Sequence, residues 1–84
     1  MTRGEAYALI DAERERQAMI WGEGGPHAWG SGDCSSLDVP PIVKVAVLTE
    51  EVGEVARAVL ERSPSLRDEL VQVAAVAVAW LEAL

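Results

Sequence analysis

The stretch Leu48 to Arg57, LTEEVGEVAR, sets Glu50, Glu51 and Glu54 within five positions of a segment whose apolar residues recur with helical spacing. In a helix Glu51 and Glu54 stand three residues apart, so their side chains leave one face about a turn apart. Two carboxylates held that close repel each other unless a cation lies between them. Mg²⁺ is the hard cation suited to such a cluster, held by a few carboxylates together with the phosphates of a substrate. A second acidic pair, Asp68-Glu69, opens a later helical segment. If the two helices pack antiparallel, Glu69 faces Glu51 and Glu54 across the gap. The expectation is a divalent metal site built between helices. The competing reading is a solvated acidic face, because a Glu-Glu-x-x-Glu string alone is weak. The second acidic pair, the position of the acids beside an apolar stripe and the net charge of −7 favour the metal.

Three helices must hold these residues, spanning about 5–21, 40–62 and 66–84, with a loop over 22–37, all within one domain, 1–84. The first lacks internal Gly and Pro and is rich in Ala, Glu, Arg and Gln. Tyr7, Ile10, Arg14, Gln17 and Trp21 share one face of it, with Glu13, Arg16 and Ile20 to one side. Leu9 to Arg16 reads as a solvated charged surface with local Glu–Arg pairs. The loop that follows carries five glycines and a proline between Gly22 and Ser36, which rules out a regular element. So long a loop is either a poorly ordered connector or a functional segment. His27 and Trp29 stand where a lid over a ligand would place them. A zinc site from His27, Asp33 and Cys34 fits no standard ligand spacing.

Asp38 is the expected N-cap of the second helix, with Pro40 and Pro41 in its first turn. Val45, Leu48, Val52, Val55, Ala56 and Val59 form an apolar stripe. Lys44, Glu51 and Glu54 border it, and Glu50 lies further out. Gly53 weakens a helix interior, so close approach of another helix or a ligand is expected there. Ser63-Pro64-Ser65 breaks the chain, and Ser65 offers a cap for the third helix, whose first turn holds Arg67-Asp68-Glu69. From Leu70 this helix is apolar nearly all round. Such a helix is buried all round, and two companions in one chain do not suffice to surround it. A homodimer or homotetramer centred on the third helices follows.

Half of the residues are hydrophobic, generous for a chain of 84, and this again points to apolar surface shared between subunits. An acidic chain repels phosphate backbones, so neither a nucleic acid polymer nor an anionic membrane is expected as a partner. With one cysteine there is no internal disulfide framework. The N-terminus lacks the apolar core of a signal peptide, and the most apolar run, Leu70 to Leu84, is too short to span a bilayer. A cytoplasmic location is the expectation.

The pattern Glu50-Glu51-x-x-Glu54, a turn, then Glu69-x-x-Gln72 resembles the MazG-like all-α nucleoside triphosphate pyrophosphatase superfamily, whose signature is EExxE on one helix and ExxD on the next. The match runs from Ile42 to Leu84. The segment Ala12 to Gln17 with Trp21-Gly22 also looks like the first helix of small, phage-type members. The resemblance implies an all-α, three-helix protomer assembled into an oligomeric bundle. It implies Mg²⁺, or Mn²⁺, as cofactor and hydrolysis of a nucleoside triphosphate to the monophosphate and pyrophosphate, as house-cleaning of the nucleotide pool. Glu51, Glu54 and Glu69 match the metal-binding acids, and Glu50 matches the acid that orients or deprotonates the attacking water. Gln72 stands where the family has Asp. A neutral amide is a weaker ligand but can still hydrogen-bond a metal-bound water. The alternative is therefore a catalytically impaired module that binds nucleotide or a protein partner.

The chemistry fits such a cluster, since phosphoryl transfer needs charge neutralisation and positioning more than covalent help. Lys44, two turns before Glu51, is within reach of a phosphate oxygen, or else pairs with Glu51 or stands in solvent. His27, Trp29 and Trp21 are candidates to stack on a base. Trp21 and Trp80 equally suit a core or an interface, where large aromatics usually sit.

Overall fold

The structure, a computed structural model, describes residues 1–22 and 32–84. Helix α1 spans Arg3–Gln17 and begins two residues earlier than its composition suggests. The reason is a capping box: the Thr2 hydroxyl accepts from the Glu5 backbone N–H at 3.1 Å, and the Glu5 carboxylate accepts from the Thr2 N–H at 3.2 Å. Each side chain satisfies a backbone donor that the first turn leaves unpaired. Past Gln17 the chain continues as a wider π turn, Ala18–Gly22.

Helix α2 spans Pro41–Leu60 and α3 spans Leu66–Glu82. Asp38 does not cap α2. Pro40 occupies the cap position with Pro41 at the first helical position, and the Asp38 N–H donates instead to Ser36 Oγ at 3.1 Å. Two prolines fix φ near its helical value, the one at the first helical position lacks an N–H that would otherwise go unpaired, and Pro40 offers no side-chain acceptor, so the helix starts without a side-chain cap. Ser65 stands at the cap position of α3 but pairs with Ser63 through its hydroxyl, at 2.8 Å, rather than with the helix. Between the two helices Arg62 adopts φ +53°. The Ser63 N–H reaches Ala58 O at 2.8 Å and the Arg62 N–H reaches Val59 O at 3.2 Å. This is a Schellman stop, which satisfies the last carbonyls of α2 and turns the chain back.

Helix α3 lies between the other two and packs on both, while α1 and α2 make no comparable contact among the described residues. Val47 and Leu48 of α2 pack against Val76 and Ala79 of α3, and further along α2 the carboxylate of Glu51 feels Glu69. Later positions on one helix thus meet earlier positions on the other, which makes the pair antiparallel. The protomer is all-helical, with no strand among the described residues, and no helix is long and apolar enough to cross a membrane.

The apolar stripe expected on α2 is divided. Leu48 and Val55 are partly covered, Val47 and Ala58 turn inward, and Val45, Val52 and Val59 face outward. The third helix has Ala75, Val76 and Ala79 buried, while Leu70, Val78 and Leu81 stay exposed. Residues 32–39 close one end of the bundle. Gly32 has φ +93°, and a Cβ there would lie 2.9 Å from Ser36 Cβ, so only glycine fits this turn. Cys34 and Val39 are buried beneath it.

Candidate functional site

Glu51 is half-buried on the α2 side of the α2–α3 seam. Its Oε2 is fully buried and accepts no hydrogen bond among the described residues. Burial pushes its pKa up first, and the negative charges of Glu69, Glu50, Glu54 and Glu13 push it further in the same direction. This is the electrostatic condition expected of clustered acids: each ionised neighbour makes the next ionisation harder.

The antiparallel seam brings Glu69 toward Glu51, as the sequence spacing requires. Glu54 is partly exposed and pairs loosely with Arg57 at 3.9 Å. Glu50 is exposed. Glu50, Glu51 and Gln72 line a single cleft of about 410 Å³. Glu54 and Glu69 are not in its wall. Among the described residues no three His, Cys, Asp or Glu side chains converge closely enough to hold a metal ion as they stand.

Lys44, expected near a phosphate, is 3% exposed and does not line the cleft. It lies close enough to Cys34 for its charge to pull that thiol's pKa down, against burial and Asp33, which push it up and prevail. His27, Trp29 and the side chain of Trp21 lie outside the described residues.

Helix α1 contributes two residues from a segment whose composition predicts a solvated surface. Glu13 has a largely covered side chain, and its carboxylate accepts from Nε and Nη2 on one edge of the Arg16 guanidinium. Arg16 lines the same cleft as Glu50 and Glu51, together with Gln17 and Ile20. The signal was present in the sequence: Ile20 shares a face with Glu13 and Arg16, and an apolar residue there argues against a wholly solvated surface.

Arg14 is 9% exposed, although its segment reads as a charged surface. Its Nη1 donates to Asp33 Oδ2 at 2.8 Å and to Gln17 Oε1 at 2.9 Å, and its Nε donates to Glu82 Oε2 at 2.9 Å. One guanidinium thus ties α1 to residues 32–39 and to the end of α3. Burial raises the pKa of Asp33, but hydrogen bonds from Ser35 and Arg14 more than offset it and hold the carboxylate below its usual range. Committed to Arg14 and Ser35, Asp33 is a structural anchor rather than a metal ligand. Comparison of the chain with protein-family models, with curated proteins and with solved structures finds no match.

Proposed function

We propose that the chain is a Mg²⁺- or Mn²⁺-dependent nucleoside triphosphate pyrophosphohydrolase of the MazG-like kind, acting in the cytoplasm as a homodimer or homotetramer. The observation that carries this reading is the Glu51 Oε2 atom, buried and without a hydrogen-bond partner among the described residues, with four other acidic side chains raising its pKa. An unpaired buried carboxylate oxygen is costly, and a divalent cation is the partner that would also relieve the repulsion around it. Glu51, Glu54 and Glu69 are the residues to hold it, after rotation of the side chains toward one another. When bound, such an ion supplies charge neutralisation and Lewis acidity at a phosphoryl oxygen. Glu50, exposed at the rim of the cleft, accepts a proton from a water that adds to the α-phosphorus as the bond to the bridging oxygen breaks. The products are the nucleoside monophosphate and pyrophosphate.

A second reading, a nucleotide-binding module without turnover, is favoured by Gln72, which lines the cleft with an amide where the resembled family has a carboxylate. A panel of nucleoside triphosphates incubated with Mg²⁺, scored for pyrophosphate release, tests the first reading on the unmodified protein and on Gln72→Asp. Release by the unmodified protein that increases at limiting Mg²⁺ in Gln72→Asp supports the enzyme. Tighter Mg²⁺ binding by Gln72→Asp with no release from either protein supports the binding module. Weaker Mg²⁺ binding by Gln72→Asp contradicts both.

A further inference from the structure

The wall of the cleft contains one cationic side chain among the described residues, Arg16. Its Nε and Nη2 are held by the Glu13 carboxylate at 2.7 and 2.6 Å. Two-point pairing of this kind fixes the plane of a guanidinium. The third nitrogen, Nη1, makes no hydrogen bond among the described residues, and the side chain is 52% exposed. Arg16 and Glu51 feel each other's charge yet form no hydrogen bond with each other.

The carboxylates alone would repel any anionic ligand. A polyphosphate that carries its own divalent cation presents both signs, the cation toward Glu51 and the outer oxygens toward a guanidinium. The cleft matches this division, with Glu50 and Glu51 at one part of its wall and Arg16 on the opposing helix. Its remaining wall includes Val39, Val47 and Val76, apolar surface suited to the less polar end of the same ligand.

We propose that Arg16, oriented by Glu13, grips the phosphate tail of the substrate, the role that Lys44 cannot fill from its buried position. The assignment rests on the reading of the carboxylates as a metal site. It makes polyphosphates the preferred ligands and leaves uncharged nucleosides weakly bound. A guanidinium in direct contact with phosphate differs from one that only neutralises Glu13, and the two roles separate in a double variant.

The test is calorimetric titration with inorganic tripolyphosphate, a probe without a base, in the presence and absence of MgCl₂. Circular dichroism serves as a check that each variant is folded. The unmodified protein should bind in a Mg²⁺-dependent way. Arg16→Gln should weaken binding about tenfold or more, the scale of a charge-assisted hydrogen bond, Arg16→Lys should recover part of the loss, and Glu13→Gln/Arg16→Gln should recover none. If Arg16→Gln binds as tightly as the unmodified protein, or the double variant regains full affinity, Arg16 does not hold phosphate and the carboxylate reading stands. If the unmodified protein binds no tripolyphosphate at millimolar Mg²⁺, the metal reading and the role of Arg16 are both overturned.

Discussion

At the scale of the residue, Glu51 and Asp33 have opposite pH signatures. The folded-state pKa of Glu51 lies above its ordinary value of 4.5, through burial first and neighbouring acids second. Its favourable contribution is fully present below that ordinary value and is lost as pH rises through the folded pKa. Asp33 is held below its ordinary 3.8 despite burial, by Ser35 and Arg14. Its contribution is present above that ordinary value and is lost as pH falls through the lowered folded pKa. Without divalent cations the melting temperature should therefore rise as pH is lowered from neutral toward the ordinary Glu51 value of 4.5, and fall again below the ordinary Asp33 value of 3.8. Glu51→Gln should melt a few degrees higher than the unmodified protein at about pH 7. That corresponds to roughly 1 kcal/mol, the low end for an unpaired buried polar atom, because Glu51 keeps some contact with water. Mg²⁺ should raise the melting temperature of the unmodified protein and leave that of Glu51→Gln nearly unchanged. Identical melting of the two proteins without metal would mean that Glu51 is not strained in the fold. The acid spacing across α2 and α3 was legible because i,i+3 geometry and an antiparallel seam are local consequences of sequence. The burial of Arg14 and Lys44 was not, because long side chains bury according to partners supplied from distant segments, here Asp33 and Glu82 for Arg14.

At the scale of the element, the three helices were legible from periodicity and from the breakers between them. Their ends were less so. The Thr2–Glu5 capping box stands in the sequence, yet the opening of α2 depends on Pro40 and Pro41 overriding the acidic cap candidate. Gly53 is the position where an element-scale expectation and the protomer disagree. A close neighbour was expected there, but Gly53 is exposed and a Cβ built on it meets nothing within 4 Å. In a solvent-facing helix interior, Gly53→Ala should stabilise by about 1 kcal/mol through backbone entropy alone. For a domain of this size that is a rise of roughly 4–8 °C in a thermal melt. A fall in melting temperature would place a second chain against Gly53, with too little room for a methyl group.

At the scale of the whole molecule, the protomer has a thin interior. Among the described residues no large side chain is fully buried, and the central cluster is Cys34, Val76 and Ala79 with Val47 and Leu48 packed on it. The sequence points to an assembly centred on α3, because its apolar surface is too wide for two companions. Its position between α1 and α2 buries Ala75, Val76 and Ala79 but leaves Leu70, Val78 and Leu81 exposed, and α2 carries a further exposed apolar face. Ile42 is 75% exposed there, and Val52, 51% exposed, stands between Val45 and Val59 at seven-residue intervals on the outward face. A seven-residue apolar repeat on an exposed face is the geometry of a helix seam between chains, and surface of that kind is rarely left in water. The two helices therefore differ in how they respond to a buried charge. Val76→Glu places a carboxylate in the small core, where burial without a partner costs several kcal/mol, about as much as a marginally stable chain of this length has. It should unfold the protomer, seen as loss of helical circular dichroism. Val52→Glu places the charge on the outer face of α2. It should leave the helical signal intact and reduce the mass found by light scattering from a dimer or tetramer to a monomer. Were the unmodified protein already monomeric at micromolar concentration, the α2 face would not be a contact between copies, and the proposed oligomer would be lost with it.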